Sequence, residues 1–237
     1  MWDNVCISSS YAVNVETATL LMNTSSPYTY AAGYNFKHRG TGPLTNIDPY
    51  LSREKPLEPH RSQLSNSTLQ ALSKFSSHWP EVEYIVDPLC AGIEPMLLGG
   101  ASCASIAYAL VSSLSQGDVT IISNSTDLPI INPNLLSDLT DIELAIATLK
   151  RQRTIWKTPE MKPVVIGEEV VPSVNVSTDA QLVRYFRETT RQLYHASYTC
   201  KMGVSNDSLA GLNSKARVFG VSELRVVDAS SFPFLHP

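Results

Sequence analysis

The order in which predicted strands and helices follow one another limits the fold of this chain more than any other feature of its sequence. Short runs rich in β-branched and aromatic residues come in groups, whereas the helical patterns are few and separate. Predicted strands cover residues 82–86, 104–111, 118–123, 216–221 and 223–228, and predicted helices cover residues 67–75, 138–156 and 179–193. Grouped strands favour an α+β fold with a mostly antiparallel sheet and helices on one face. The nearly continuous apolar run at 223–228 predicts a buried strand.

Two of the predicted helices have clear start signals. Asp138 can cap the first, and Asp141 falls in its first turn. Thr178 and Gln181 form a capping box at the start of the second. The apolar sides of the two helices are Ile142, Ile146, Leu149 and Trp156 in the first, and Leu182, Tyr185, Phe186 and Leu193 in the second. The second helix would end directly before His195.

A long segment rich in Gly, Pro and Tyr, residues 26–58, shows no helical or strand period. Loops of this length inside a compact domain usually have a function, such as covering a site. We therefore expect residues 26–58 to form a surface loop that acts as a lid over the cleft containing His195.

Composition excludes several classes of function. The 237 residues carry a net charge of −4 without a basic block, which argues against nucleic acid as a partner. The longest apolar stretches, such as ASIAYALVSSL, are too short and too rich in serine to span a membrane. The four cysteines include no CxxC, and the histidines form no HExxH, so we expect no metal site. Either Cys90 and Cys103 form a disulfide, or all four cysteines are buried thiols.

Two features bear on the compartment in opposite ways. The opening MWDNVCISSS has neither the basic nor the apolar region of a secretory signal. However, the chain contains five Asn-x-Ser/Thr glycosylation sequons, at Asn23, Asn66, Asn124, Asn175 and Asn206.

The run YHASYTCKMG at 194–203 places a histidine among small and hydroxylated residues. An imidazole that titrates near neutral pH suits proton transfer from a hydroxyl group, but a histidine in such a run can equally well be a packed core residue. The local pattern leaves both interpretations open. The sequence has no GxSxG for an esterase-type nucleophile and no GxGxxG for a dinucleotide.

Two separated blocks resemble the glucose–methanol–choline (GMC) family of FAD-dependent oxidoreductases. YHASYTCKMG is similar to that family's HPxGTCKMG stretch, and SKARVFGVSELRVVDASSFPF at 214–234 is similar to its second carboxyl-terminal signature. Weaker similarities extend over the chain: GTGPLT, HWPEVEY, SLSQGDVTI and DLPIINPNLL. MWDNV resembles the tail of the family's GxNxxDH motif, with Asn4 where histidine is usual.

The resemblance implies roles for four residues. His195 falls on the histidine that faces the flavin and helps accept the proton of the substrate hydroxyl while hydride moves to FAD. Asp228 and Ala229 fall on the turn that lies against the FAD, and Tyr194 would line the substrate pocket. Residues 1–193 would form the substrate-binding domain, and 194–237 a carboxyl-terminal segment that returns to an FAD domain. The implied substrate is a small-molecule alcohol.

The departures from the family pattern imply that this chain is one part of a larger enzyme. The glycine-rich FAD motif is missing, and the family's second catalytic residue would fall beyond Pro237, so His236 does not match it. An FAD-binding half, or a partner chain, would have to supply these groups. We expect secretion and glycosylation if the parent protein carried a signal peptide. Two alternatives stay open: a non-redox cyclase or isomerase of secondary metabolism on the same fold, and an inactive ligand-binding fragment.

Overall fold

A computed structural model describes residues 1–45, 50–91 and 102–236. Its strands are β1 (Val5–Val13), β2 (Tyr50–Glu54), β3 (Val82–Asp87), β4 (Cys103–Leu110), β5 (Asp118–Thr120), β6 (Ile130–Asn132), β7 (Val165–Val171) and β8 (Arg191–Gln192). Its α-helices are α1 (Pro27–Arg39), α2 (Asn66–Leu72), α3 (Leu139–Trp156) and α4 (Asp179–Thr189). Short 3-10 helices occur at Ala18–Met22, Arg61–Gln63 and Ala229–Ser231. No helix within these described ranges is long and apolar enough to cross a membrane.

Six strands form an antiparallel sheet: five follow the order β2-β3-β4-β1-β7, and the sixth, β8, pairs with β1. One edge of β1 is shared, because β7 pairs with its second half and β8 pairs with Val5 and Cys6. β5 and β6 form a separate hairpin. The predicted α+β class with an antiparallel sheet is therefore confirmed.

Helix α3 packs against both α2 and α4, and it lies against β4 and β1. The core that they share with the sheet includes Tyr108, Leu144, Leu149, Leu182 and Phe186, all nearly fully buried. Polar groups tie the helices to the strands at the same place, since the Tyr108 hydroxyl donates to the Ala145 carbonyl at 2.8 Å. The helices thus pack against β1 and β4 on one face of the sheet and fix the position of these strands.

The predicted helix starts are confirmed, but the predicted end of the last helix is wrong. Asp138 caps α3 through the Thr140 N–H, and Thr178 and Gln181 form the capping box of α4. α4 ends at Thr189 instead of running to residue 193. The chain there pairs with β1 through β8, because backbone hydrogen bonds to a neighbouring strand replace those of a further helical turn. His195 therefore follows a short strand.

The segment 26–58 is not the irregular loop that its composition predicts. It contains α1, which Ser26 caps and which ends at Gly40 in a left-handed conformation (φ 62°). It also contains β2, at the opposite edge of the sheet from β8. Propensity missed β2 because pairing with β3 stabilises it. Residues 46–49 lie outside the described residues, and a lid over His195 stays a prediction.

The two strands predicted at 216–221 and 223–228 are also wrong. These residues form only single bridges, Leu212 with Val218 and Arg217 with Arg225. Positive φ values at Ala216 and Glu223 interrupt the extended backbone. Instead of being buried, the second run is mostly exposed, with Val227 81% accessible.

The structure shows the state of the cysteines and of the glycosylation sequons, which both bear on the cellular compartment. Cys90 and Cys103 form a disulfide, whereas Cys6 and Cys200 are free, half-buried thiols. All five sequon asparagines are exposed: Asn23, Asn66, Asn124, Asn175 and Asn206. The alternative of four buried thiols is thus wrong, and each sequon is accessible to a modifying enzyme.

Candidate active site

His195 lies on a bulge between two strand segments that pair with the start of the chain. Gln192 is opposite Val5, and Ser197 is opposite Trp2, so residues 193–196 face only the two residues 3 and 4. The excess on one side leaves the chain bowed outward, and Tyr194 takes the left-handed conformation (φ 61°). Bulges of this kind redirect a side chain at the edge of a sheet. The local geometry therefore turns His195 away from a regular strand position.

A buried carboxylate holds the backbone of this bulge. Asp3 is 3% exposed, and its Oδ1 accepts from the backbone N–H of Asn4 at 2.8 Å and from that of His195 at 3.0 Å. Burial raises the pKa of Asp3 above its ordinary value, and the two backbone hydrogen bonds oppose that rise. Asp3 thus fastens the histidine's main chain to the first strand.

The imidazole itself contacts Asn4, which is fully buried. The Nδ1 atom of His195 lies 2.9 Å from Asn4 Oδ1, and the Asn4 amide nitrogen donates to the Leu110 carbonyl at 2.9 Å. His195 is exposed at the surface. His195 is thus not part of the core of this chain, and its role as a base stays a prediction. Among the described residues, no group of three or more His, Cys, Asp or Glu side chains could hold a metal ion.

The second sequence block is bound directly to the first. Asp228 caps the 3-10 helix Ala229–Ser231 by accepting from the Ser230 N–H at 2.8 Å. From this helix, the Ser230 carbonyl accepts from the Cys200 N–H and the Ser231 carbonyl accepts from the Met202 N–H, both at 2.9 Å. The turn with Asp228 and Ala229 is thus joined to the segment that His195 begins.

Large apolar side chains are exposed at several positions of the carboxyl-terminal segment. They are Tyr194, Val204, Leu209, Phe219, Val221, Leu224, Val227, Phe232 and Phe234. The N–H and the hydroxyl of Ser230 both donate to Oδ1 of Asp228. These hydrogen bonds lower the pKa of Asp228. Apolar side chains are the usual lining of a site for a flat ring system such as a flavin. The FAD phosphates would need a glycine-rich turn before a helix, and the sequence contains no GxGxxG.

The structure thus joins the two sequence blocks through the hydrogen bonds of Cys200 and Met202 to the 3-10 helix, and that His195, Asp228 and Ala229 act in one site stays a prediction. Tyr194 is 90% exposed beside His195, and its place in a substrate pocket stays a prediction. Sequence reasoning gave no role to Asp3 or to Asn4. The signal was present in MWDNV, but their contact with His195 spans more than 190 residues of chain.

Comparison with known proteins agrees with these observations. The profile of the family described as GMC oxidoreductase matches residues 113–236. A patulin synthase of Penicillium expansum is 40% identical over 245 residues, covering 100% of this chain and 39% of the relative. A versicolorin B synthase of Emericella nidulans is 36% identical, covering 99% of this chain and 36% of the relative. The chain therefore spans less than two fifths of the length of these curated relatives.

A solved structure shares the fold at low sequence identity. A formate oxidase of Aspergillus oryzae RIB40, studied for the modification of its FAD, superposes with a TM-score of 0.80 at 17% identity. The match covers 100% of this chain and 43% of the oxidase. At this identity the likeness establishes the fold alone.

Proposed function

Because the chain belongs to the GMC oxidoreductase family, we propose that it forms the substrate-binding part of an FAD-dependent enzyme that oxidises the CH–OH group of an alcohol. The observation that carries this proposal is the exposed His195 imidazole, which Asp3 and Asn4 hold in place. The same segment donates hydrogen bonds, from Cys200 and Met202, to the 3-10 helix that Asp228 caps. In this proposal His195 supplies the base for the hydroxyl proton, and the turn of Asp228 and Ala229 supplies one side of the flavin site.

The residues of this chain would divide the work as follows. His195 accepts the proton of the substrate hydroxyl, as a positioned imidazole does in general base catalysis. Asp3 keeps the histidine's backbone in place, and Asp228 and Ala229 hold one side of the cofactor. FAD, when bound, supplies the acceptor for the hydride. The remainder of the FAD site would come from polypeptide outside these 237 residues or from a partner chain.

The test uses the longest natural polypeptide that contains this chain, purified with its flavin. In that protein we expect His195→Ala to keep the flavin absorbance and to lower kcat for alcohols by about 10²–10⁴-fold, the usual effect of losing one acid or base. His78→Ala is the matched control, since His78 is an exposed histidine elsewhere in the chain. Equal rates for His195→Ala and the unchanged protein would reject His195 as the base.

A non-redox reaction is the second candidate, because one relative is a versicolorin B synthase. In that case His195 would act as an acid or base in a cyclisation that leaves the oxidation state of the substrate unchanged. The two proposals differ in a simple measurement, namely whether turnover bleaches the flavin absorbance under anaerobic conditions. Bleaching that depends on substrate supports oxidation, whereas conversion of a substrate without bleaching supports the cyclase.

A further inference from the structure

We propose that Asn4 fixes the tautomer of His195, so that Nδ1 carries the proton and Nε2 presents a lone pair to the substrate. The consequence for catalysis rests on the proposed function, but the tautomer itself is a property of this chain that can be measured without turnover. Asn4 is then a positioning residue: it acts through His195.

The first step concerns the orientation of the Asn4 amide. Its carbonyl and NH2 groups are distinguished by their hydrogen-bond partners. The Leu110 backbone carbonyl, 2.9 Å from the amide, can only accept, so the atom facing it must be the NH2 nitrogen. Asn4 is fully buried, so a flipped amide would leave an oxygen facing an oxygen without water to separate them. Asn4 Oδ1 therefore faces His195.

The second step concerns the imidazole. Asn4 Oδ1 has only lone pairs to offer, and it lies 2.9 Å from His195 Nδ1. A hydrogen bond at this distance requires a proton on Nδ1. A neutral imidazole carries one ring proton, so Nε2 is left with a lone pair, which is the form that a proton acceptor needs. Nothing else in the described part of the chain hydrogen-bonds to Nε2.

The third step concerns how firmly the pair is held. One oxygen of Asp3 accepts the backbone N–H groups of both Asn4 and His195, so the two residues share one anchor. The backbone hydrogen bonds between Trp2 and Ser197, at 2.8 and 3.0 Å, close the bulge on its far side. A side chain supported in this way is preorganised before substrate arrives. The Nδ1–H bond to Asn4 also persists after Nε2 gains a proton, because both forms of the ring have a proton on Nδ1.

The experiment is long-range ¹H–¹⁵N correlation spectroscopy on the 237-residue protein with ¹⁵N-labelled histidine, at a pH where His195 is neutral. His195→Gln assigns the resonances among the five histidines. We expect His195 to show a protonated, pyrrole-like Nδ1 and an unprotonated, pyridine-like Nε2. Asn4→Leu, which removes the acceptor, should shift both nitrogens toward the averaged values of an unconstrained ring.

Ser197→Ala is the matched control, since the Ser197 hydroxyl contacts the Trp2 carbonyl in the same ladder without touching the imidazole. It should leave the His195 nitrogen shifts unchanged. A wild-type spectrum with the proton on Nε2 overturns the proposal, even if Asn4→Leu fails to fold. Unchanged shifts in a folded Asn4→Leu protein overturn it as well. If the enzyme proves to have no oxidase activity, these spectra keep the same meaning, so the two proposals fail separately.

Discussion

Asp3 is the residue on which the geometry of His195 most depends. Its carboxylate is buried at the start of β1 and accepts two backbone N–H groups from different parts of the chain. Burial makes the charged form costly and outweighs the hydrogen bonds and the nearby His195, which is why the pKa of Asp3 is raised. The negative charge of Asp3 therefore lowers stability, whereas its Oδ1 atom holds the backbone of the bulge.

This gives a pH-dependent prediction for Asp3→Asn. A carboxyl group whose folded-state pKa is raised binds more protons in the folded than in the unfolded state, so its contribution to stability falls as pH rises from the ordinary carboxyl value through the raised one. The asparagine oxygen can still accept both N–H groups but does not titrate. We therefore expect the free energy of unfolding of Asp3→Asn, relative to wild type, to increase with pH across that interval.

Urea unfolding of both proteins from pH 3 to pH 7 measures this difference. Taking the difference removes the contributions of the other carboxyl groups. A difference that stays constant with pH would mean that the Asp3 carboxyl group titrates alike in the folded and unfolded chains. A difference that decreases with pH would mean that its pKa is lowered instead.

Helix α3 packs against the sheet and against helices α2 and α4. In its first turn, Asp141 binds the chain segment that follows β4. This fully buried carboxylate accepts from the Leu114 N–H, the Ser115 N–H and the Ser113 hydroxyl at 2.7–2.8 Å. The segment that follows β4 is thereby bound to the start of α3. Burial raises the pKa of Asp141, and these hydrogen bonds counteract the rise.

Asp141→Asn should lower the free energy of unfolding by about 1–3 kcal/mol at neutral pH, because one acceptor becomes an NH2 group that faces donors and leaves a buried N–H unpaired. Asp138→Ala, which removes only the cap of the same helix, should cost about 1 kcal/mol. Chemical denaturation of the two variants tests the ranking. If Asp141→Asn is as stable as wild type, the carboxylate does not hold this segment.

At the scale of the whole molecule, two independent features support a secretory origin of the parent protein. A disulfide joins Cys90 and Cys103, and disulfides persist mainly in oxidising compartments. All five sequon asparagines are exposed. We predict that protein from the source organism carries glycans on at least one of them, which mass spectrometry before and after glycosidase treatment measures. Five unmodified asparagines on protein recovered from the cytosol would contradict secretion.

The whole molecule also sets a limit on what residues 1–237 can do alone. Hydride transfer requires the flavin to be held within about 3.5 Å of the substrate carbon. In the proposed site Asp228 and Ala229 would contact only one side of the flavin, which is too little for tight binding once ordering costs are included. We therefore predict that the 237-residue protein, given FAD, alcohols and a dye acceptor, shows no alcohol oxidation.

Assay of primary and benzylic alcohols with this protein tests the limit directly. Flavin-dependent turnover that disappears in His195→Ala would contradict it, and would mean that a second copy of the chain completes the site. Turnover that persists in His195→Ala would instead point to a contaminating enzyme.

The sequence by itself determined those features whose causes lie within a few residues. The caps at Asp138 and Thr178 and the core positions Leu149, Trp156, Leu182 and Phe186 follow from local hydrogen bonds and helical spacing, so they were predictable. Of the other predicted apolar positions, Ile142, Ile146 and Tyr185 are only partly buried, and Leu193 lies beyond the end of α4. The grouping of strands likewise indicated the α+β class, and the two similar blocks indicated the family.

Only the tertiary structure decided how the site is assembled. The end of α4, the existence of β2 and the exposure of residues 223–228 each depend on whether a neighbouring strand is available to pair. The contacts of Asp3 and Asn4 with His195 join the two ends of the chain across 192 and 191 positions. No local pattern encodes such a distance, because it arises when the sheet brings the start of β1 beside the strand that follows α4.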